Sequence, residues 1–155
     1  MESQLDQHMK TLKSKLHKIR YEVKLDFEQL IKGDPKIYLP MIHYILIDYS
    51  PEMARIIVDN GFDLFAKKDL PFMKSVFSLL LKLFRYKAAI SVEQFLTVGF
   101  AEHKMILTST MIDFIRNTVK SSIAKEKKHA SISESFSKRS SSLKPRKLDM
   151  KQENK

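Results

Sequence analysis

Few residues in this chain combine a type and a spacing that could support chemistry. Gly33-Asp34-Pro35, inside the stretch LIKGDPKIYLPMIHYILIDYSP (residues 30–51), sets a carboxylate beside a glycine, a fragment from which a phosphate-cradling loop could be built. Such a loop also needs a second glycine and a Lys-Ser/Thr pair at the start of a helix, so that backbone N–H groups converge on the anion. Here the triplet closes an apolar segment instead of opening one, so Asp34 is given no catalytic role. His8, His17, His43, His103 and His129 never pair one helical turn apart beside an acidic residue, the arrangement a helix-borne metal site requires. His43 falls within an apolar segment and reads as a core or edge histidine. There is no cysteine, and hence neither a disulfide nor a thiolate metal site. No serine occupies a nucleophile elbow. The expectation is a non-enzyme with no catalytic residue, no metal and no cofactor.

Charge is the stronger signal. The formal net charge is +10 over 155 residues. Residues 1–124 hold 18 Lys/Arg against 14 Asp/Glu, whereas residues 125–155 hold ten against four. Within the first part, Lys10, Lys13, Lys15, Lys18, Arg20 and Lys24 face a single acid, Glu22, over fifteen residues. Two basic regions therefore flank a nearly neutral middle, and charge concentrated in this way attracts a polyanionic partner. No helix-turn-helix, zinc-finger or RNA-recognition pattern accompanies it, so nucleic acid is not the expected partner. The apolar runs Ile42–Ile47 and Val76–Phe84 fall short of the roughly 20 residues that span a bilayer, so no membrane is expected either. With no apolar leader in the first twenty residues, the chain is expected to be soluble and intracellular.

The elements that must carry these charges read as helices throughout. Leu5, Met9, Leu12, Leu16 and Ile19 recur at three- and four-residue steps, with Ser3 as cap. A short helix from about Asp26 turns Phe27, Leu30 and Ile31 inward and stops at Gly33-Asp34-Pro35. Pro40 is expected to open the next helix, whose body MIHYILIDY is apolar on nearly all sides and central to the core. Ser50-Pro51-Glu52 starts another, ending at Asn60-Gly61. Asp69 is expected to cap a helix from Leu70 to about Tyr86, and Ser91 with Gln94 makes a capping box for one through Val98. A last helix runs from about Ala101 to Ile123, burying Met105, Ile106, Ile112, Ile115 and Val119. Phe62, Phe65 and Phe72 are expected in the packing. The fold class is all-α: a compact helical domain over residues 1–124, followed by a flexible basic Ser/Lys-rich tail over 125–155.

Four stretches, Leu30–Pro35, Asp48–Pro51, Lys67–Leu70 and Gly99–Lys104, occur in an order and spacing that resembles the N-terminal domain of the centrosomal protein of 44 kDa family. The likeness covers about residues 5–124. It implies a divergent calponin-homology-like fold, here without the core tryptophan of the common form, and a microtubule-binding module of centrioles, basal bodies or ciliary axonemes. The implied partners are tubulin, whose lattice and tails are acidic, and other centriolar or axonemal proteins. The implied place is the cytoplasmic cytoskeleton. The basic residues then become candidates for the contact: Lys10, Lys13, Lys15, Lys18, Arg20 and Lys24 at the N-terminal helix, Lys67 and Lys68 before Asp69, and Lys138, Arg139, Lys144, Arg146 and Lys147 in the tail. An adaptor that binds another centriolar or ciliary protein without touching tubulin is the alternative.

Overall fold

The computed structural model describes residues 3–143, with side chains described as far as residue 125. Among the described residues, seven α-helices and one π-turn follow in order: α1 (Gln4–Lys18), α2 (Phe27–Lys32), α3 (Pro35–His43) running into the π-turn Tyr44–Asp48, α4 (Pro51–Asp59), α5 (Asp69–Phe84), α6 (Val92–Phe95) and α7 (Ala101–Leu143). No strand occurs among the described residues, so the chain is all-α. Two units are distinguished, Met1–Val119 and Lys120–Lys155. The first carries the hydrophobic core; in the second, residues 120–143 are helical.

Local chemistry accounts for most helix ends. Ser3 and Asp6 form a reciprocal capping box on α1, and Ser91 and Gln94 form one on α6. Ser50 caps α4 by accepting from the Met53 N–H, with Pro51 in the first turn. The Ser50 hydroxyl also donates to the Glu52 carboxylate at 2.8 Å, and this bond holds that carboxyl below its usual range.

The Gly-Asp-Pro triplet does two things at once. Gly33, left-handed at φ 74°, ends α2, and the Asp34 carboxylate accepts from the Lys36 N–H to cap α3, which begins at Pro35. The start expected at Pro40 is therefore five residues too late, because Asp34 and Pro35 already supply the cap and the first helical residue. Pro40 lies inside α3 on its exposed side. It has no N–H to give the Lys36 carbonyl. The widened π-turn follows within a few residues and ends with Tyr49 N–H donating to the Tyr44 carbonyl at 2.8 Å.

The core is built on α3 and the π-turn, where Tyr38, Met41, Ile42, Ile45 and Leu46 are fully enclosed. Against them lie Leu12, Leu16 and Ile19 from the α1 end, Phe72, Val76 and Leu79 from α5, Phe95 from α6, and Met105, Met111, Ile112 and Ile115 from α7. Each such aliphatic or aromatic side chain contributes about 1.5–3 kcal/mol by leaving water. His43 stacks on Phe72 with ring centroids 3.8 Å apart, an edge histidine used for packing.

Several expectations are corrected. Phe27 and Ile31 are 43% and 47% exposed, since Leu30 alone meets the core from α2. Phe65 is 74% exposed in the loop before α5, and Ile106 lies on the outer side of α7. Asp69 is the first residue of α5, whose N-cap Lys68 makes no side-chain capping bond. The short helix α6 ends at Phe95 rather than Val98. The last helix runs to Leu143, past the end expected near Ile123, with neither glycine nor proline between Ala101 and Leu143 to stop it.

Candidate interaction surface

Helix α1 turns Leu12 and Leu16 into the core and leaves Lys10, Lys13 and Lys18 exposed on the remainder. Three contacts hold the helix in place. His8 Nε2 lies 3.3 Å from Glu102 of α7 near the start of α1, and Lys15 Nζ lies 2.6 Å from Asp113 of α7 farther along. Beyond its end, the Tyr44 hydroxyl donates to the Ile19 carbonyl at 2.7 Å. The Tyr44 phenol is pushed above its ordinary pKa by burial, then by Tyr49, Asp48 and Glu22, with Arg20 opposing. The phenol therefore stays protonated as a donor.

The basic candidates separate once their partners are known. Lys15 is half-buried in its pair with Asp113 and serves the packing of α1 on α7. The Lys13 ammonium lies 4.5 Å above the Phe27 ring, covering an aromatic that the core does not reach. Arg20 takes a left-handed conformation, φ 59°, where the chain leaves α1. There the Tyr21 N–H reaches back to the Leu16 carbonyl and the Arg20 N–H to that of His17. Lys24 follows in the exposed connection to α2.

Lys67 and Lys68 precede α5, where Lys67 Nζ is 3.4 Å from the Ser75 hydroxyl and Lys68 is exposed. Lys138 and Arg139 belong to α7, although their side chains are outside the described set; Lys144, Arg146 and Lys147 lie outside the described residues. The structure brings together the α1 candidates and does not join them to Lys67 and Lys68 by any described contact.

One charged residue escaped the sequence reading. Lys104 of α7 is completely enclosed. Its ammonium donates to the Gly33 carbonyl at 2.6 Å and to the Thr97 carbonyl, and lies 5.4 Å from the Phe95 ring centroid. Burial lowers its pKa to about 8, against the attraction of Asp34. The Gly33 carbonyl also accepts from the Gly99 N–H at 3.3 Å. Two of the four stretches that carry the resemblance, Leu30–Pro35 and Gly99–Lys104, thus meet in space at a backbone joint locked by a buried lysine. A signal was available, since Lys104 shares the helical face of Thr108, Met111 and Ile115. A lysine inside that apolar register has to find backbone acceptors.

Among the described residues no group of three or more His, Asp or Glu could hold a metal, and no helix is long and apolar enough to cross a membrane. Comparison with known proteins gives a consistent outcome. The family model described as "Centrosomal spindle body, CEP44" matches residues 4–130. The chain is 34% identical to the centrosomal protein of 44 kDa from Xenopus tropicalis over 107 residues, which is 69% of this chain and 28% of that protein. It is 35% identical to the Bos taurus protein over 111 residues, 72% of this chain and 29% of that protein. The Homo sapiens protein is 34% identical over 111 residues, again 72% of this chain and 28% of its own length. The chain spans under a third of the length of these curated relatives. With the match covering both halves of the Gly33–Lys104 joint, this chain belongs to the family of the centrosomal protein of 44 kDa.

Proposed function

We propose that this domain is a non-catalytic structural module of the centrosome or centriole, extending to basal bodies or axonemes, that docks on the microtubule wall. The observation that carries the reading is the exposed basic side of α1, where Lys10 and Lys18 lie away from the buried Leu12 and Leu16 and Lys13 flanks them. Arg20 and Lys24 continue it, while Lys67, Lys68 and the tail residues Lys138, Arg139, Lys144, Arg146 and Lys147 add charge elsewhere. The relatives' name, centrosomal protein, supports the location, and the helical architecture is compatible with a divergent calponin-homology-like domain. Acidic tubulin would be attracted over about the 8 Å Debye length of physiological salt.

Co-sedimentation with microtubules tests this reading. Binding is expected at low salt, weaker at physiological salt, and reduced at least about tenfold by Lys10→Glu, Lys13→Glu and Lys18→Glu combined. Absence of binding at both salts, or binding indifferent to the triple substitution, refutes it. In the adaptor reading the helical domain binds another centriolar or ciliary protein, the charge of α1 serves only solubility, and association with that protein is predicted in extract stripped of tubulin.

A further inference from the structure

A cavity of about 370 Å³ opens beside α5. Leu80 and Ile90 form its buried floor, and Phe77, Leu81 and Tyr86 line its sides, with Leu81 56% exposed at the rim. Its size is at the lower end of the about 300–1,000 Å³ typical of ligand pockets, enough for an anchoring side chain or two. Its polar lining is Ser78, Ser91 and Lys87, without a carboxylate. Lys74, one turn before Ser78, and Arg85, next to Tyr86, are also exposed. The nearest acid along the chain is Glu93, two residues beyond Ser91.

From this apolar trough, with Lys87 in its lining and the exposed Lys74 and Arg85 nearby along the chain, we infer a docking site for an acidic amphipathic helical segment of a partner protein. Such a segment would set apolar anchors from one face against Leu80, Leu81 and Ile90 and lay its Asp/Glu residues toward Lys74, Arg85 and Lys87. Charge disfavours the two occupants nearest at hand. Residues 144–155 carry five Lys/Arg against two Asp/Glu, and a second copy brings a net charge of +10. The inference gives the adaptor reading a partner chemistry, rests on that reading, and is independent of tubulin.

Selection of a displayed random-peptide library on the full chain, without tubulin, tests it. Enriched peptides are expected to place Leu, Ile, Phe or Met three or four residues apart among Asp and Glu. The best of them, synthesised with a fluorophore, should bind at least about tenfold more weakly to Leu81→Gln and to Lys87→Glu, as loss of one anchor or one charge contact predicts. Circular dichroism of both exposed-site variants should match the parent. Enrichment of basic or uncharged peptides, no enrichment, or affinity indifferent to both substitutions overturns the inference. So does a dimer in sedimentation that Leu81→Gln converts to monomer, because a second copy then fills the groove. Each of these failures leaves the microtubule co-sedimentation result untouched.

Discussion

Replacing Gly33 by alanine places a Cβ 2.1 Å from the Gly99 carbonyl oxygen and 2.6 Å from its carbon, with Ala101 N at 3.1 Å. All three are backbone atoms, so no side chain can swing aside. The left-handed φ of 74° costs a non-glycine residue about 1–2 kcal/mol by itself. Parting the two segments also weakens the two donors on the Gly33 carbonyl, Gly99 N–H and the enclosed Lys104 ammonium. A buried donor deprived of an acceptor costs about 1–3 kcal/mol. The sum is about 2–5 kcal/mol, a large part of the about 5–15 kcal/mol that holds a domain folded. At about 2–4 °C per kcal/mol for a chain of this size, the thermal midpoint should fall by about 4–20 °C. Gly61→Ala is the control, for it shares the left-handed backbone (φ 86°) but its added Cβ meets nothing within 4 Å. It should cost only the conformational part, about 1–2 kcal/mol. Both can be measured by urea denaturation followed by circular dichroism. If Gly33→Ala costs no more than Gly61→Ala, the argument for a backbone joint at Gly33 fails.

Lys104 makes the stability of the parent depend on alkaline pH. Its folded pKa, about 8, lies below the ordinary 10.5, so above pH 8 the unfolded chain holds more protons and stability rises with pH. The gain approaches about 3 kcal/mol at most. It should be read between pH 8 and 10, because Tyr38, whose pKa burial raises, acts in the opposite sense once unfolded tyrosine ionises. Urea titrations should show that Lys104→Met flattens this rise; an unchanged slope would assign it to another group. Arg85 ends α5 in a left-handed conformation, φ 53°, so Arg85→Gly should stabilise the domain by about 0.5–1 kcal/mol and raise the thermal midpoint, and a fall would contradict the assignment. A double-mutant cycle of Lys15→Ala and Asp113→Ala should give a coupling of about 0.5–1 kcal/mol that shrinks in 1 M salt, whereas no coupling at low salt would leave the pair without a role.

Much of the helical frame was legible in local chemistry. Ser3, Ser50 and the Ser91–Gln94 pair each announced a helix start with a side chain of the right length to reach an orphan N–H, and Gly33 and Gly61 announced ends. What failed was arbitration between neighbouring signals. Pro35 and Pro40 both suit the start of a helix, and only the cap from Asp34 decides for Pro35. The apolar spacing around Phe27, Leu30 and Ile31 does not reveal that a helix of six residues reaches the core through Leu30 alone. On α1, counting lysines showed where charge concentrates but not that Lys15 is spent on Asp113, 98 positions away. Lys104 was passed over for the same reason: its acceptors, Gly33 and Thr97, become neighbours only after the chain folds.

The three tethers of α1 have a consequence for how the domain would meet a partner. His8 with Glu102, Lys15 with Asp113, and the Tyr44 hydroxyl with Ile19 index the helix against α7 and the central helical segment along its whole length. Its exposed ammonium groups therefore stem from a backbone whose position is already set before encounter. A partner has only the side-chain rotamers left to order, at about 0.5–1.5 kcal/mol each, and not the segment that bears them. The same number of lysines on an unanchored chain would attract a polyanion from as far away but would carry no register. Preorganisation of this kind turns a count of charges into a spacing that can be matched.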